Sequence, residues 1–328
     1  MINVRMNLKD TIREEAFKLG FSAVGIAPAD YDPVGHDSLL QWLNNRYQAG
    51  MDYMQRATRK RYDPGIHLSG ARSVIVCALN YYTEPKNDSR KGYVSIYARG
   101  GNYHRVVKDK LETLCERIKK LSGDFRARTF VDSSPVGEKA LAVKAGIGFI
   151  GRNGMVIIPR DKGKPGKPLE GSFHFLGGII ADLGLEPDSP GVGTCGQCRK
   201  CIDACPTDAI VGDGIIDASR CISYHTTQNR GAIPDDIAGR MQNMIFGCDI
   251  CQLVCPYNKK STITAEQGFM PHRDLIDVDL ETLKDLSEDE FEARFKVNSI
   301  EDIDYTMFKR NVAIAMNNIR NGAKEYPG

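Results

Sequence analysis

Eight of the ten cysteines fall after position 190, in Cys195-x-x-Cys198-x-x-Cys201-x-x-x-Cys205-Pro206 and Cys248-x-x-Cys251-x-x-x-Cys255-Pro256, with Cys221 between the two runs. Thiols at this close spacing wrap one face of a cubane iron-sulfur cluster, and the cysteine ahead of a proline turns away to reach a second cluster. The pattern predicts two [4Fe-4S] clusters, one held by Cys195, Cys198, Cys201 and Cys255, the other by Cys205, Cys221, Cys248 and Cys251. Disulfides would require an oxidising compartment. A zinc site needs four ligands in two paired knuckles, which leaves both Cys-Pro corners and Cys221 without a purpose. Cys77, in an apolar run, and Cys115, on a helical face with Leu111 and Leu114, read as small core residues.

At 328 residues the chain has the bulk for two domains, or one large domain with an insert. Its net charge of +2 exerts no overall pull toward nucleic acid or membrane. The charge is uneven, however: Arg105 to Arg128 carries eight Lys/Arg against four Asp/Glu, and Pro271 to Asp304 carries four against twelve. A polyanion would meet the first half more easily than the second. The stretch Met1 to Asp10 has no apolar export segment and no twin arginine, and no run approaches the roughly 20 apolar residues of a membrane helix. A cytoplasmic protein with no membrane contact is expected, and the lack of a heptad seam suggests a monomer.

Helix-like and strand-like segments alternate through the first half. Helices are expected at Asn7–Leu19, Leu39–Ala49, His104–Leu121 and Gly137–Ala145, and strands at Phe21–Ala27, Ser73–Tyr82, Ala127–Asp132, Met155–Pro159 and Phe173–Ala181. Arg160 to Gly171 reads as a polar hairpin tip or insertion. The fold class is α+β: an α/β domain over 1–185, a ferredoxin-like double-cluster module over 186–262 and a helical segment over 263–328. Between the cysteine runs a helix is expected at Pro234–Met244, with the proline in its first turn. A final helix is expected at Tyr305–Arg320, with Phe308, Val312, Ala315 and Ile319 on one face.

Clusters deliver single electrons and do not name a substrate, so the chemistry must come from the front domain. Gly146-Ile-Gly148-Phe-Ile-Gly151 matches the dinucleotide fingerprint on paper, but a helix precedes it and a strand follows, the reverse of the required order. Such glycines also let a backbone approach a flat cofactor closely. In Phe130-Val131-Asp132-Ser133-Ser134-Pro135, Asp132 stands where a strand-end acid would stand, while Ser133 or Ser134 serves equally as a helix cap, with Glu138 complementing the helix dipole. Tyr97-Ala98-Arg99-Gly100-Gly101-Asn102-Tyr103-His104 reads as a capped turn as readily as a site. Of the six scattered histidines only His104 falls near a candidate site, and His174 reads equally as a hairpin residue.

Lys60-Arg61-x-Asp63-Pro64, Tyr97-Ala98-Arg99-Gly100-x-x-Tyr103-His104, Val131-Asp132-Ser133-x-Pro135, Ala145-Gly146-Ile147-Gly148-Phe149-Ile150-Gly151-Arg152-Asn153, Cys221-Ile-Ser223-Tyr and Ile245-Phe-Gly247-Cys248-Asp-Ile-Cys251 together resemble the epoxyqueuosine reductase family. The resemblance runs in order from about Phe21 to Asn258. It implies a nitroreductase-like front domain holding base-off cobalamin beside the cluster module, and removal of the epoxide oxygen of epoxyqueuosine at the wobble position of tRNA. Asp132 falls on the family's catalytic acid. Arg61, Ser95, Asn153, Val156, Leu176, Ser223 and Gly247 fall on corrin-contacting positions, and Arg230 on one near the nucleotide. The implied partners are tRNA carrying epoxyqueuosine in its anticodon loop and a low-potential donor such as ferredoxin or flavodoxin.

Three departures stand out. Gly137 replaces a usually larger residue, Arg160 to Gly171 lengthens a short hairpin, and the chain stops near where longer members continue into helical repeats. For Asp132 to act as an acid, burial against the corrin and Val131 would have to raise its carboxyl above the usual 3.9 or so. The basic stretch Arg105–Arg128 and Lys162–Lys167 are candidate phosphate contacts. Rival readings are a reductive dehalogenase-like reductase of small molecules, a noncatalytic iron-sulfur electron carrier, and an RNA-binding module using metal as structure only.

Overall fold

The computed structural model describes residues 7–85, 88–159 and 171–322. The front part contains α1 (Leu8–Lys18), β1 (Ala23–Pro28), α2 (Pro33–Asn44), α3 (Pro64–His67), β2 (Ser73–Asn80), β3 (Tyr93–Val94), α4 (Tyr103–Ser122), β4 (Ala127–Val131), α5 (Glu138–Lys144), β5 (Phe149–Ile150), β6 (Val156–Ile157) and β7 (His174–Ala181). The cysteine region contains α6 (Lys200–Asp203), β8 (Ile210–Gly212), β9 (Ile215–Ile216), α7 (Ile222–Thr227), α8 (Asp235–Ala238), β10 (Met244–Phe246) and α9 (Ile250–Leu253). Three helices follow: α10 (Leu280–Asp285), α11 (Glu288–Phe295) and α12 (Tyr305–Arg320).

The main sheet runs β1-β2-β7-β4, antiparallel at every pair. Its central strand, Ser73-Val-Ile-Val-Cys-Ala-Leu-Asn80, is apolar on both faces because helices cover both. Alternate side chains part accordingly. Ile75, Cys77 and Leu79 pack with Ile12 of α1 and Val107, Leu111, Leu114 and Ile118 of α4, whereas Val74, Val76 and Ala78 pack with Leu141 and Ala142 of α5. Cys77 and Cys115 are buried in the first of these cores.

Helix starts follow local chemistry. Asn7 accepts from the backbone N–H of Lys9 to open α1, Asp32 from Gly35 to open α2, and Asn102 from His104 to open α4. Gly123 closes α4 with φ of +83°. Two expectations change. The second helix begins at Pro33, not Leu39, because Asp32 and Pro33 supply a cap and a first-turn proline. The expected helix Pro234–Met244 is only α8, with Pro234 as its cap, since Met244 is claimed by β10.

β10 pairs in parallel with β3 of the front part, Met244 opposite Tyr93 and Phe246 opposite Val94. Below this pair lies a third core, where Val94, Ala98, Ile245 and Phe246 meet Leu283, Phe291, Phe295, Phe308, Val312 and Ala315 from α10, α11 and α12. The last helix occupies the expected residues, and its expected face is the buried one. Among the described residues no helix is long and apolar enough to cross a membrane.

Candidate functional site

The strand ends decide where the site lies. Pairing of Asn80 with His174 and of Val131 with Gly177 brings the C-terminal ends of β2 and β4 beside the start of β7. Beyond that edge a cavity of about 360 Å³ separates the sheet from the cysteine region. Ser95, Asp132, Asn153, Val156, Leu176 and Ser223 all line it, as do Cys205, Cys221, Cys248 and Cys251. Gly247 stands behind Ser95: its φ is +71°, and a Cβ there would lie 2.5 Å from the Ser95 Cβ. Arg61 lines a smaller neighbouring pocket with Tyr62 and Gly137, and Arg230 lies exposed after α7.

The eight thiols fall into two neighbourhoods. Cys201 feels Cys255 and Cys195, and Cys255 feels Cys195 and Cys198. Cys248 feels Cys251 and Cys221, Cys221 feels Cys205, and Cys251 feels Cys221 and Cys205 most and Cys201 least. The second neighbourhood faces the cavity, and none of the first lines it. The two cysteine runs are built alike: Ile202 and Asp203 donate to Arg199 O, and Gln252 and Leu253 donate to Asp249 O. Each short helix stops at its Cys-Pro corner, because the residue before a proline leaves the helical region.

Asp132 stands exposed one residue past β4, and its Oδ2 accepts a 2.7 Å hydrogen bond from the Tyr103 hydroxyl. Tyr103 stacks on Phe175 at 4.2 Å with its ring almost parallel. Burial, then the Asp132 charge, pushes the Tyr103 phenol far above its ordinary range, so it stays a donor. Glu138, half-buried in the first turn of α5, faces the same cavity. Enclosure raises its carboxyl to about 8, and the Asp132 charge adds to that. Burial lowers His174 to about 4, leaving a neutral ring in the cavity wall, and its Nδ1 finds no hydrogen-bond partner among the described residues. The histidine expectation is thereby corrected: His174 reaches the site, whereas His104 stacks on Tyr103 at 4.0 Å outside the wall.

The undecided stretch Tyr97–His104 divides its labour. Tyr97 and Tyr103 enter the cavity wall, Asn102 caps α4, and Arg99 is buried, donating from Nε to Val94 O and lying 4.9 Å over the Tyr93 ring. The glycine run does not line the cavity. A Cβ on Gly148 would lie 2.2 Å from Ile157 O, and one on Gly146 2.6 Å from Ser189 O. These glycines admit the chain leading to the first cysteine run, to which Arg152 N donates at Cys195 Sγ, while Asn153 Nδ2 donates to Cys251 O. Gly137 also has a steric reason, since the Tyr62 ring would stand 2.9 Å from its Cβ. Lys162–Lys167 and nearly all of the Arg160–Gly171 insertion lie outside the described residues.

A family model described as "4Fe-4S double cluster binding domain" matches residues 194–258, and one described as "Epoxyqueuosine reductase QueG, DUF1730" matches residues 61–133. The epoxyqueuosine reductase of Cyclobacterium marinum is 40% identical over 93% of this chain and 96% of its own. The chain belongs to the epoxyqueuosine reductase family. The Escherichia coli epoxyqueuosine reductase is 37% identical over 95% of this chain and 81% of its own. Among solved epoxyqueuosine reductases, one with a tRNA-Tyr epoxyqueuosine-modified stem loop has a TM-score of 0.86 at 31% identity, covering 96% of this chain and 82% of that one. The Bacillus subtilis enzyme, with an aspartate-bearing catalytic loop swung out of its active site, has a TM-score of 0.86 at 30% identity and the same coverage.

Three residues of this epoxyqueuosine reductase family member escaped the sequence reading. Glu138 was legible only as a first-turn acid, and Tyr103 only as part of an undecided stretch. Asp249, 1% exposed, accepts from Tyr93 OH at 2.7 Å, Ser95 Oγ at 2.5 Å and Ile96 N at 2.7 Å. A buried acid between two cluster cysteines was a signal in itself, because such a carboxylate requires donors.

Proposed function

We propose that this chain reduces epoxyqueuosine to queuosine at the wobble position of tRNA, releasing the epoxide oxygen as water. One observation carries the reading: the strand-end acid Asp132 and the thiols Cys205, Cys221, Cys248 and Cys251 face a single cavity, so a proton source and an electron source converge. Residues 1–185 form a nitroreductase-like cobalamin domain, 186–262 the ferredoxin-like module and 263–328 a helical segment. Cys195, Cys198, Cys201 and Cys255 hold the outer [4Fe-4S] cluster, and the four cavity-facing thiols hold the inner one. Electrons from a low-potential ferredoxin or flavodoxin enter at the outer cluster. The protein acts as a cytoplasmic monomer.

The cavity fits a corrin in its chemistry. Val156 and Leu176 give apolar walls, Ser95, Asn153 and Ser223 give small polar groups, and the unpartnered His174 Nδ1 gives a polar atom in need of a neighbour. Arg61, in the neighbouring pocket, and Arg230, exposed after α7, are assigned to the peripheral side chains and the nucleotide, and Gly247 packs against Ser95. Cobalamin bound there would supply, in reduced form, the two electrons that carbon–oxygen cleavage requires. The chain's own residues orient and protonate. Tyr103 aims Asp132, which gives its proton to the departing oxygen, and Tyr81, Tyr97, Tyr103 and Phe175 offer aromatic faces to an unstacked base.

The test is anaerobic reconstitution with iron, sulfide and cobalamin, then incubation with a reductant and an epoxyqueuosine-containing anticodon stem-loop, with nucleosides read by mass spectrometry. Loss of one oxygen from the modified base is the expected result. Full loading with an untouched base would sink the substrate assignment and favour a small-molecule reductase. Failure to bind cobalamin would favour an electron carrier.

A further inference from the structure

Turning an epoxide into an alkene has a fixed balance. Both carbon–oxygen bonds break, a C=C bond forms, and two electrons and two protons leave with the oxygen as water. The electrons come from the low-potential donor through the iron-sulfur module, but both protons must reach one oxygen. Among the described residues the cavity wall carries three carboxyl groups, on Asp132, Glu138 and Asp249. Asp249 is committed to its three donors. Asp132 and Glu138 remain, joined by a turn that is pinned along its length: Ser134 N donates to Val131 O at 2.7 Å, Val136 N to Ser134 O at 2.8 Å, Gly137 N to Arg61 O at 2.6 Å and Glu138 N to Val136 O at 3.0 Å.

We propose that Asp132 and Glu138 form a proton-sharing pair, in which Glu138 holds the proton, Asp132 takes it up and hands it to the departing oxygen, and solvent recharges Glu138 for the second proton. The pair rests on the reductase reading above. Two carboxylates facing one enclosed space cannot both ionise cheaply, so one keeps a proton. Glu138 keeps it, its carboxyl standing at about 8, although a helix's first turn ordinarily favours the charged form. Other groups around it do not compete. Lys139, on the same turn, opposes the rise but donates to Gly154 O at 2.9 Å. Tyr103 holds its proton too firmly, and His174, neutral at pH 7, has no imidazolium proton to give. Tyr53 and Arg61 approach the pair from the loop before α3, and Asp302 from the segment before α12. Across the cavity stand Asp249 and the four inner thiols. Glu138 is recharged from solvent after each of the two transfers, so both protons of the water formed enter through it.

Glu138→Gln keeps the size of the side chain and removes the transferable proton. In the reconstituted holoenzyme, single-turnover reduction of the stem-loop is expected to fall by about 10- to 100-fold and to lose the alkaline decline centred near 8, a general-acid effect of ordinary size. Glu138→Asp is expected to restore part of the rate. A cofactor-free readout accompanies this: infrared difference spectra of the unloaded chain are expected to show a protonated carboxyl that titrates near 8 and is missing from Glu138→Gln. If the wild type reduces the stem-loop and Glu138→Gln matches it in rate and profile, the pair is overturned alone. If the wild type titrates near 8 but leaves the base untouched, the reductase reading falls, and the pair's role falls with it.

Discussion

Asp132 is placed by two neighbours with opposite jobs. Tyr103 donates to one of its oxygens and fixes its direction, while Glu138 stands in the wall of the same cavity. Asp132→Asn preserves the Tyr103 contact and removes the acid, so cluster and cobalamin loading should stay at wild-type levels while stem-loop turnover drops by about 10² to 10⁴-fold. His174 gives a prediction readable without any cofactor. Its folded-state value of about 4 lies below the ordinary 6.5, so the unfolded chain binds the extra proton first and stability is lost as pH falls from about 6.5 to about 4. His174→Asn should remove on the order of 2 kcal/mol of that acid loss in denaturant titrations at the two pH limits. At this scale the sequence revealed the residues whose chemistry announces itself locally. The cysteine spacing and Asp132 at a strand end needed no third dimension. Glu138, Tyr103 and His174 needed the sheet register, because their meeting depends on which strand ends lie side by side.

Asp249 and Gly247 show how an element can be committed twice. The turn after β10 starts the second cysteine run and also fastens β3, through a carboxylate with three donors and a glycine whose φ is +71°. Asp249→Ala strands those donors in a buried place and should cost about 3–5 kcal/mol, with iron content per chain falling in parallel. Wild-type stability together with full iron loading would refute the double role. Most elements were legible, since α1, α4, β2, β7 and α12 carry strong periodicity or firm caps. The helix expected at Pro234–Met244 failed because Met244-Ile-Phe246 spends its apolar side chains on pairing with β3, a partner about 150 residues distant that no local pattern discloses.

Across the whole molecule, charges that look available in the sequence are partly spoken for. Lys110 pairs with Glu266 at 2.6 Å, Arg117 with Glu15 at 2.8 Å and Arg126 with Asp182 at 2.8 Å, so parts of the basic stretch bind the fold to itself. Lys119 and Lys120, exposed near the end of α4, are better candidates for a polyanion. The final helix is similarly committed. Asn311, 0% exposed, donates to Thr226 O at 2.9 Å and Ile245 O at 3.0 Å, and Arg310 donates to His225 O at 2.7 Å. Asn311→Ala should therefore destabilise the chain by about 2–4 kcal/mol in urea titration, since two buried carbonyls lose their donor.

The parallel pairing of β3 with β10 also sets a timetable. Tyr93 leaves the ribosome long before Met244, and at roughly 5–20 residues per second the wait is about 8–30 s. Within that interval β4 and β7 are made and the main sheet is completed, while the far wall of the cavity has still to be synthesised. With Cys251 and Cys255 among the proposed ligands, neither metal centre can be completed until the second cysteine run has emerged, and any shortage of iron will be felt by a nascent chain that is already more than half built.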